Sequence, residues 1–295
     1  MTTTVAPLLI DPQFVVNGVI VGSTIALAAI GLSMIFGILN FINFAHGEYL
    51  TVGAYAALVL NTVVGLHIVL ALVGAMAFTG AFAAVLDRGL YHPLREKDVG
   101  GVGMLITSIG LSMVLRNVIE AVWGSKIRHY AVPSTQAMEF LGLKMTTVQV
   151  VIVVVAVLLM VLVHLLLTRT VMGIAMRATS TNQSLALSSG INTDRVVVWT
   201  WGIGVGLTTV AGVLIGLNTH LVPTMGFELL LVMFAAVILG GIGDPYGAMV
   251  GGLVIGVTQE MSVAVLSPSY KPAVAFTIMV LMLLWRPQGL LGDTA

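Results

Sequence analysis

The sequence predicts an all-α, polytopic transmembrane helical bundle of about eight to ten spans, built as two weakly related halves with broken helices. Three observations predict it. Hydrophobic residues make up 58% of the 295-residue chain and charged residues only 8%, whereas soluble domains carry about 25% charged residues. The apolar residues fall into runs long enough to cross a bilayer, which needs about 20 residues each. Glycine-rich breaks interrupt those runs in both halves.

The runs are Phe14–Gly37, Tyr49–Gly65, Ile68–Leu90, Val102–Trp123, Thr147–Thr168, Val196–Leu217, Leu229–Ile242, Ala248–Leu266 and Ala273–Trp285. The fifth is almost wholly Val, Leu and Ile. Each such residue favours insertion by about 0.3–0.6 kcal/mol. Met1 to Pro12 holds no Lys or Arg, so a cleaved secretory signal is not expected. The whole chain, 1–295, reads as a single membrane domain.

The polar connections set an orientation. With one span between neighbours, Arg88, Arg95, Lys97, Arg169, Arg177, Arg195 and Arg286 fall on one side, and Lys126, Arg128, Lys144 and Lys271 on the other. The excess of Lys and Arg on cytoplasmic loops then predicts that Thr168–Arg195 and the C-terminus lie in the cytoplasm of a cell (inner or plasma) membrane. The side of the N-terminus stays open.

Two breaks stand out. Asn40–Glu48 and Gly240–Gly247 each interrupt an apolar stretch and carry a glycine-acid pair, Gly47-Glu48 and Gly243-Asp244. Interrupted spans in corresponding halves point to a central pathway, because irregular backbone at membrane depth must be buried or face water. Asn40, Asn43, His46, Glu48, Gly240, Gly241 and Gly243 are therefore expected along a translocation pathway; ordinary surface loops are the competing reading. Gly247, Gly251, Gly252 and Gly256, with Gly212 and Gly216, sit at the spacing that lets helices pack closely. Arg116 and Glu120, four apart in an apolar run, are expected to neutralise each other.

Balanced charge gives no argument for nucleic acid, and the absence of Cys excludes thiolate metal sites and cysteine nucleophiles. No His-Glu spacing makes a metal site, and no nucleophile constellation points to an enzyme. No phosphate-binding loop of the G-x-x-x-x-G-K-[ST] type occurs, so an ATP motor would be a separate chain.

The ordered set Ala29–Gly37, Asn43–Glu48, Gly173–Ala178 with Asn182 and Gly190–Asn192, Ala211–Val213, Gly240–Gly243 with Gly247–Gly252, and Arg286–Leu290 resembles the branched-chain amino acid ABC permease family, in particular its high-affinity leucine/isoleucine/valine subunit. The resemblance implies ATP-driven alternating access, a second homologous permease, two ATPase subunits that use ATP and Mg, and a solute-binding protein. It makes 168–195 a coupling segment, with Gly173, Arg177, Asn182 and Gly190 meeting the ATPase. The same family serves urea, short amides and other amino acids. A self-sufficient ion-coupled transporter is the rival from another class, and it has only Glu48 and Glu120 to offer.

Overall fold

The computed structural model describes residues 11–133, 137–140 and 142–292. The nine apolar runs become nine helices: α1 (Pro12–Leu39), α2 (His46–Thr62), α3 (Ile68–Leu86), α5 (Gly101–Trp123), α6 (Thr147–Arg169), α9 (Thr193–Asn218), α10 (Met225–Gly240), α11 (Pro245–Ser262) and α12 (Lys271–Trp285). A π-helical turn, Asp87–Tyr91, carries α3 into the short α4 (His92–Glu96). Two further helices, α7 (Val171–Thr181) and α8 (Gln183–Ser188), lie between α6 and α9. The one sheet among the described residues is an antiparallel hairpin of β1 (Ala137–Phe140) and β2 (Leu143–Thr146). It was not foreseen from the sequence.

Among the described residues, six helical stretches are each long and apolar enough to span, or seven if α10 and α11, bent by 119° at their junction, count as one. Helices α2 and α10, of 17 and 16 residues, are short because both begin inside the bundle rather than at a surface. His46, at the start of α2, reaches the carbonyl of Ala28. Ala28 lies eleven residues before the end of α1, about 16 Å along a helix axis. The chain therefore leaves α1 at one face and turns back inward over residues 40–45 before α2 starts.

The second inward turn is 219–224, whereas the sequence reading placed the matching break at Gly240–Gly247. Leu221 exchanges both backbone hydrogen bonds with Arg128, at 2.9 and 3.0 Å, in the connection after α5. From there the chain drops inward, and Gly226 packs directly on Gly47. The two breaks thus enter from opposite faces and meet in the interior. The spacing repeats: Gly37 to Gly47 and Gly216 to Gly226 are each ten residues apart (47 − 37 = 226 − 216). The segment Gly240–Gly247 is instead a tight turn at a face. A Cβ on Gly240 would strike the Gly247 carbonyl, and Gly241 (φ +120°) packs on Gly289 and Gly292. There the closing Arg286–Leu291 stretch folds back, with the amides of Leu290 and Leu291 donating to the carbonyls of Leu239 and Gly240 at 2.8 and 2.9 Å.

Helix α1 is the spine, buried from Gly22 to Ile35. Its glycines set the approach of two antiparallel neighbours: Gly18 and Gly22 against α11 around Leu253–Val257, and Gly31 against Gly204 of α9. Glycine contacts of this kind let backbones touch and gain van der Waals energy where lipid offers no hydrophobic drive. Helices α3, α5, α6 and α12 form the periphery and leave most of their Val, Leu and Ile side chains exposed, as lipid-facing helices must.

Tracing the helices gives two ends. One carries Asp11–Gln13, the hairpin and the end of α9; Gln13 and Lys144 exchange hydrogen bonds there at 2.9 Å. The other carries α4, α7, α8 and the Arg286–Leu291 stretch. The basic residues distribute over these ends as the sequence reading groups them.

Gly226→Ala is expected to cost about 1–3 kcal/mol, because its methyl meets the Gly47 carbonyl in a packed site. Thermal unfolding in detergent should show a lowered midpoint. Gly110→Ala, on an open face of α5, should instead be neutral or stabilising, by up to about 1 kcal/mol.

Candidate functional site

The interior junction of the two inward turns collects three of the side chains singled out in the sequence. Asn43, His46 and Glu48 are all fully buried. Asn43 holds the turn: its Oδ1 accepts from the Ala45 amide at 3.0 Å and from the Tyr91 hydroxyl at 3.3 Å. The Phe44 amide donates to Ser108 on α5 at 3.0 Å. Backbone that leaves helical geometry inside the bundle is thereby given side-chain partners in place of water.

His46 Nε2 lies 2.8 Å from Thr208 Oγ1, and that hydroxyl also lies 2.9 Å from the Gly204 carbonyl. A hydroxyl has one proton to give. Donating it to the carbonyl requires the imidazole proton to sit on Nε2 and leaves Nδ1 a bare acceptor. Glu48 stands in the first turn of α2, where the helix dipole favours a negative charge. Its Oε1 accepts from Ser112 Oγ at 3.2 Å. Asn43 Nδ2, His46 Nδ1 and Glu48 Oε2 have no partner among the described residues. Three unsatisfied polar atoms at one buried junction are unusual, since nearly all such atoms are paired.

Other expected members lie elsewhere. Asn40 is exposed and caps α1 in the left-handed conformation (φ 52°). Gly240, Gly241 and Gly243 belong to the turn between α10 and α11 and are occupied in backbone contacts. Arg116 and Glu120 form no ion pair with each other; the Arg116 guanidinium sits 4.8 Å over the ring of Phe227 on α10. The Arg-before-Glu order suits a helix pair poorly, whereas an aromatic face is within reach.

Several contributors were missed by sequence reasoning. Thr51 accepts from the Gly226 amide at 3.1 Å and so pins the start of α10 to α2. Tyr91 stacks on Trp201 with ring centroids 5.6 Å apart and tilts against Phe41 at 5.2 Å. The available signal was hydroxyl spacing within apolar runs: Ser108 and Ser112 at i, i+4, and the Thr208-Thr209 pair.

Tyr91 leads outward. The π turn that holds it also holds Asp87, buried and gripped by Arg95 through two bonds of 2.7 and 3.1 Å. Asp87 and Arg95 line a cleft of about 630 Å3 at the end of α3 and the start of α9, with Arg88, His92, Asp194 and Arg195. The segment 168–195 adjoins this cleft. Within it, Gly173 is a packing residue, since a Cβ would strike the Leu166 carbonyl. Asn182 links α7 to α8, its Oδ1 accepting from the Leu185 amide at 2.9 Å. Gly190 follows α8 with φ +84°. Arg177 is exposed in line with Val171 and Ile174, an apolar strip with a cation at its end.

Lipid-facing outer helices, two inward turns meeting at a buried polar junction and a surface helix pair at one end define the membrane-spanning part of a transporter. Residues 14–283 match the family described as "Branched-chain amino acid transport system / permease component", and the chain belongs to this family. It is 38% identical to the high-affinity branched-chain amino acid transport system permease protein LivH of Escherichia coli K12, over 95% of each chain. It is 30% identical to a probable LivH of Methanocaldococcus jannaschii, over 95% of this chain and 92% of that one. It is also 26% identical to LivM of E. coli, a permease protein of the same named system, over 90% of this chain and 67% of LivM. Among solved structures, PsaBC from Streptococcus pneumoniae in complex with Fab has a similar fold, with a TM-score of 0.51, 15% identity and coverage of 94% and 93% of the two chains.

Tyr91→Phe removes one neutral hydrogen bond and should cost about 0.5–1.5 kcal/mol. Asp87→Asn leaves the Arg95 charge without its counter-ion and should cost more, about 3–5 kcal/mol. Denaturation of the purified protein in one detergent should rank the two in that order.

Proposed function

We propose that this chain is one permease subunit of an ATP-driven importer of branched-chain amino acids. The observation that carries the proposal is likeness along nearly the entire length to permeases bearing that name. The buried junction at the crossing of α2 and α10 supports it, because a solute pathway needs polar groups at depth and a backbone able to shift between two arrangements.

The chain works with a second homologous permease, two ATPase subunits that supply ATP and Mg chemistry, and a solute-binding protein. Similarity to both LivH and LivM supports the paired permease. The richer supply of Arg and Lys at the end holding α4, α7 and α8 supports placing that end in the cytoplasm, with the start of α1 outside. Helices α7 and α8 are then the coupling segment. The exposed strip Val171, Ile174 and Arg177 is the docking face, and Asn182 and Gly190 fix the angle at which it is presented. ATP binding moves this segment, the π turn 87–91 passes the movement to Asn43 through Tyr91, and the junction opens alternately to the two sides.

The direct experiment reconstitutes the subunits in vesicles and follows leucine uptake driven by ATP and the binding protein. Uptake by this chain alone on an ion gradient would reverse the reading. Arg177→Ala and Asn182→Ala are expected to lower ATP-dependent uptake severalfold while membrane insertion is retained. The Asn182 change also removes a helix cap worth about 1 kcal/mol. Wild-type uptake and ATPase co-purification in both variants would remove the coupling assignment.

A further inference from the structure

Two ionisable groups of opposite sign, Glu48 and Arg116, stand close to the interior junction, each without an ion partner within 4.0 Å. Glu48 is fully buried, with one oxygen bonded to Ser112 and the other bonded to nothing among the described residues. Arg116 follows Ser112 by one turn on α5. Helical side chains lean toward their own N-terminus, which carries the Arg116 guanidinium back toward the level of Ser112 and Glu48. Its contact there is the face of Phe227, the third residue of α10. It forms no ion pair within 4.0 Å.

The energetics make this arrangement hard to explain as packing alone. A charge deep in the bilayer costs roughly 2.5–3.5 kcal/mol on insertion scales and is normally paired or functional. A carboxylate and a guanidinium within reach of one another would lower that cost by joining. Here a serine takes the carboxylate and an aromatic ring takes the cation, so the two charges are held apart. Arg116 is half-buried and Phe227 exposed, so the site opens at the rim of the bundle between α5 and α10. Helix α5 packs extensively only against α2, which makes it the wall best able to move away from Glu48.

We infer that these two side chains form the solute's own subsite once α5 moves away: Glu48 receives the ammonium and Arg116 the carboxylate of an α-amino acid zwitterion as it passes the junction. The zwitterion supplies the two missing partners at once. A guanidinium binds a carboxylate through two parallel hydrogen bonds, and the free Glu48 oxygen accepts from an ammonium. The side chain of the solute then lies against the apolar α5–α10 rim, which tolerates aliphatic groups without selecting strongly among them. The inference rests on the importer reading above and adds a chemical reason for the transport of amino acids rather than neutral amides.

The test uses the complete transporter in vesicles, with its partner subunits and binding protein, and reads leucine moved per ATP hydrolysed. Glu48→Gln and Arg116→Gln should each lower that ratio about tenfold or more, as expected for the loss of one desolvated charge contact. Arg116→Lys, which keeps the charge but not the two-pronged geometry, should fall between Arg116→Gln and the native chain. A purely structural role would change assembly and stability and leave the leucine-to-ATP ratio of the assembled complex unchanged. Because Arg116 is half-exposed, its variants assemble and report even if Glu48→Gln does not. Ratios within twofold of the native value in both Arg116 variants, or equal losses in Arg116→Lys and Arg116→Gln, would overturn the subsite. Failure of the native complex to move leucine would instead strike the importer reading, so the two failures are distinct.

Discussion

The structure depends on keeping every backbone amide and carbonyl bonded where there is no water. Two stretches, 40–45 and 219–224, leave helical geometry on their way from a face into the bundle, where an unbonded peptide group costs several kcal/mol. The surrounding helices answer with hydroxyls and amides: Ser108 to the Phe44 amide, Asn43 to Ala45, Thr51 to Gly226. These partners can reach only if the helices approach closely, and the glycines of α1, α2, α9 and α10 permit that approach. Small residues and buried polar residues are thus two halves of one arrangement.

That arrangement concentrates both rigidity and change. The periphery is interchangeable apolar surface. The junction is not, because each of its polar atoms answers to a particular neighbour on a different helix: Tyr91 from the α3 extension, Thr208 from α9, Ser112 from α5. A displacement of any of these elements is felt where α2 and α10 begin. The π turn ties this centre to the charged cleft at one end, through residues four apart in sequence, Asp87 and Tyr91.

Much of this was legible in the sequence. Each apolar run became a helix, because nothing except a helix satisfies that many apolar residues and their backbone in lipid. Asn43, His46 and Glu48 were identifiable as polar residues with no reason to be at depth unless bonded there. The partner of their break was misread. Gly240–Gly247 has more glycine and a proline, so it looks more broken, yet it is an ordinary face turn. The true counterpart, 219–224, resembles a short polar loop, and only the repeated ten-residue glycine interval betrays it. Arg116 was misplaced for a different reason: helical periodicity finds Glu120 beside it but cannot see Phe227, which arrives from a segment more than a hundred residues away.

Helix α1 ends up at the centre, touching α9, α10 and α11, which are made long after it. During synthesis its glycine-lined faces must therefore lie against lipid until those helices emerge. The bilayer itself acts as a temporary placeholder for missing protein. Assembly consequently closes late: loss of α9, α10 and α11 would strip the central rod of its tightest contacts and leave the earlier segments inserted and unassembled.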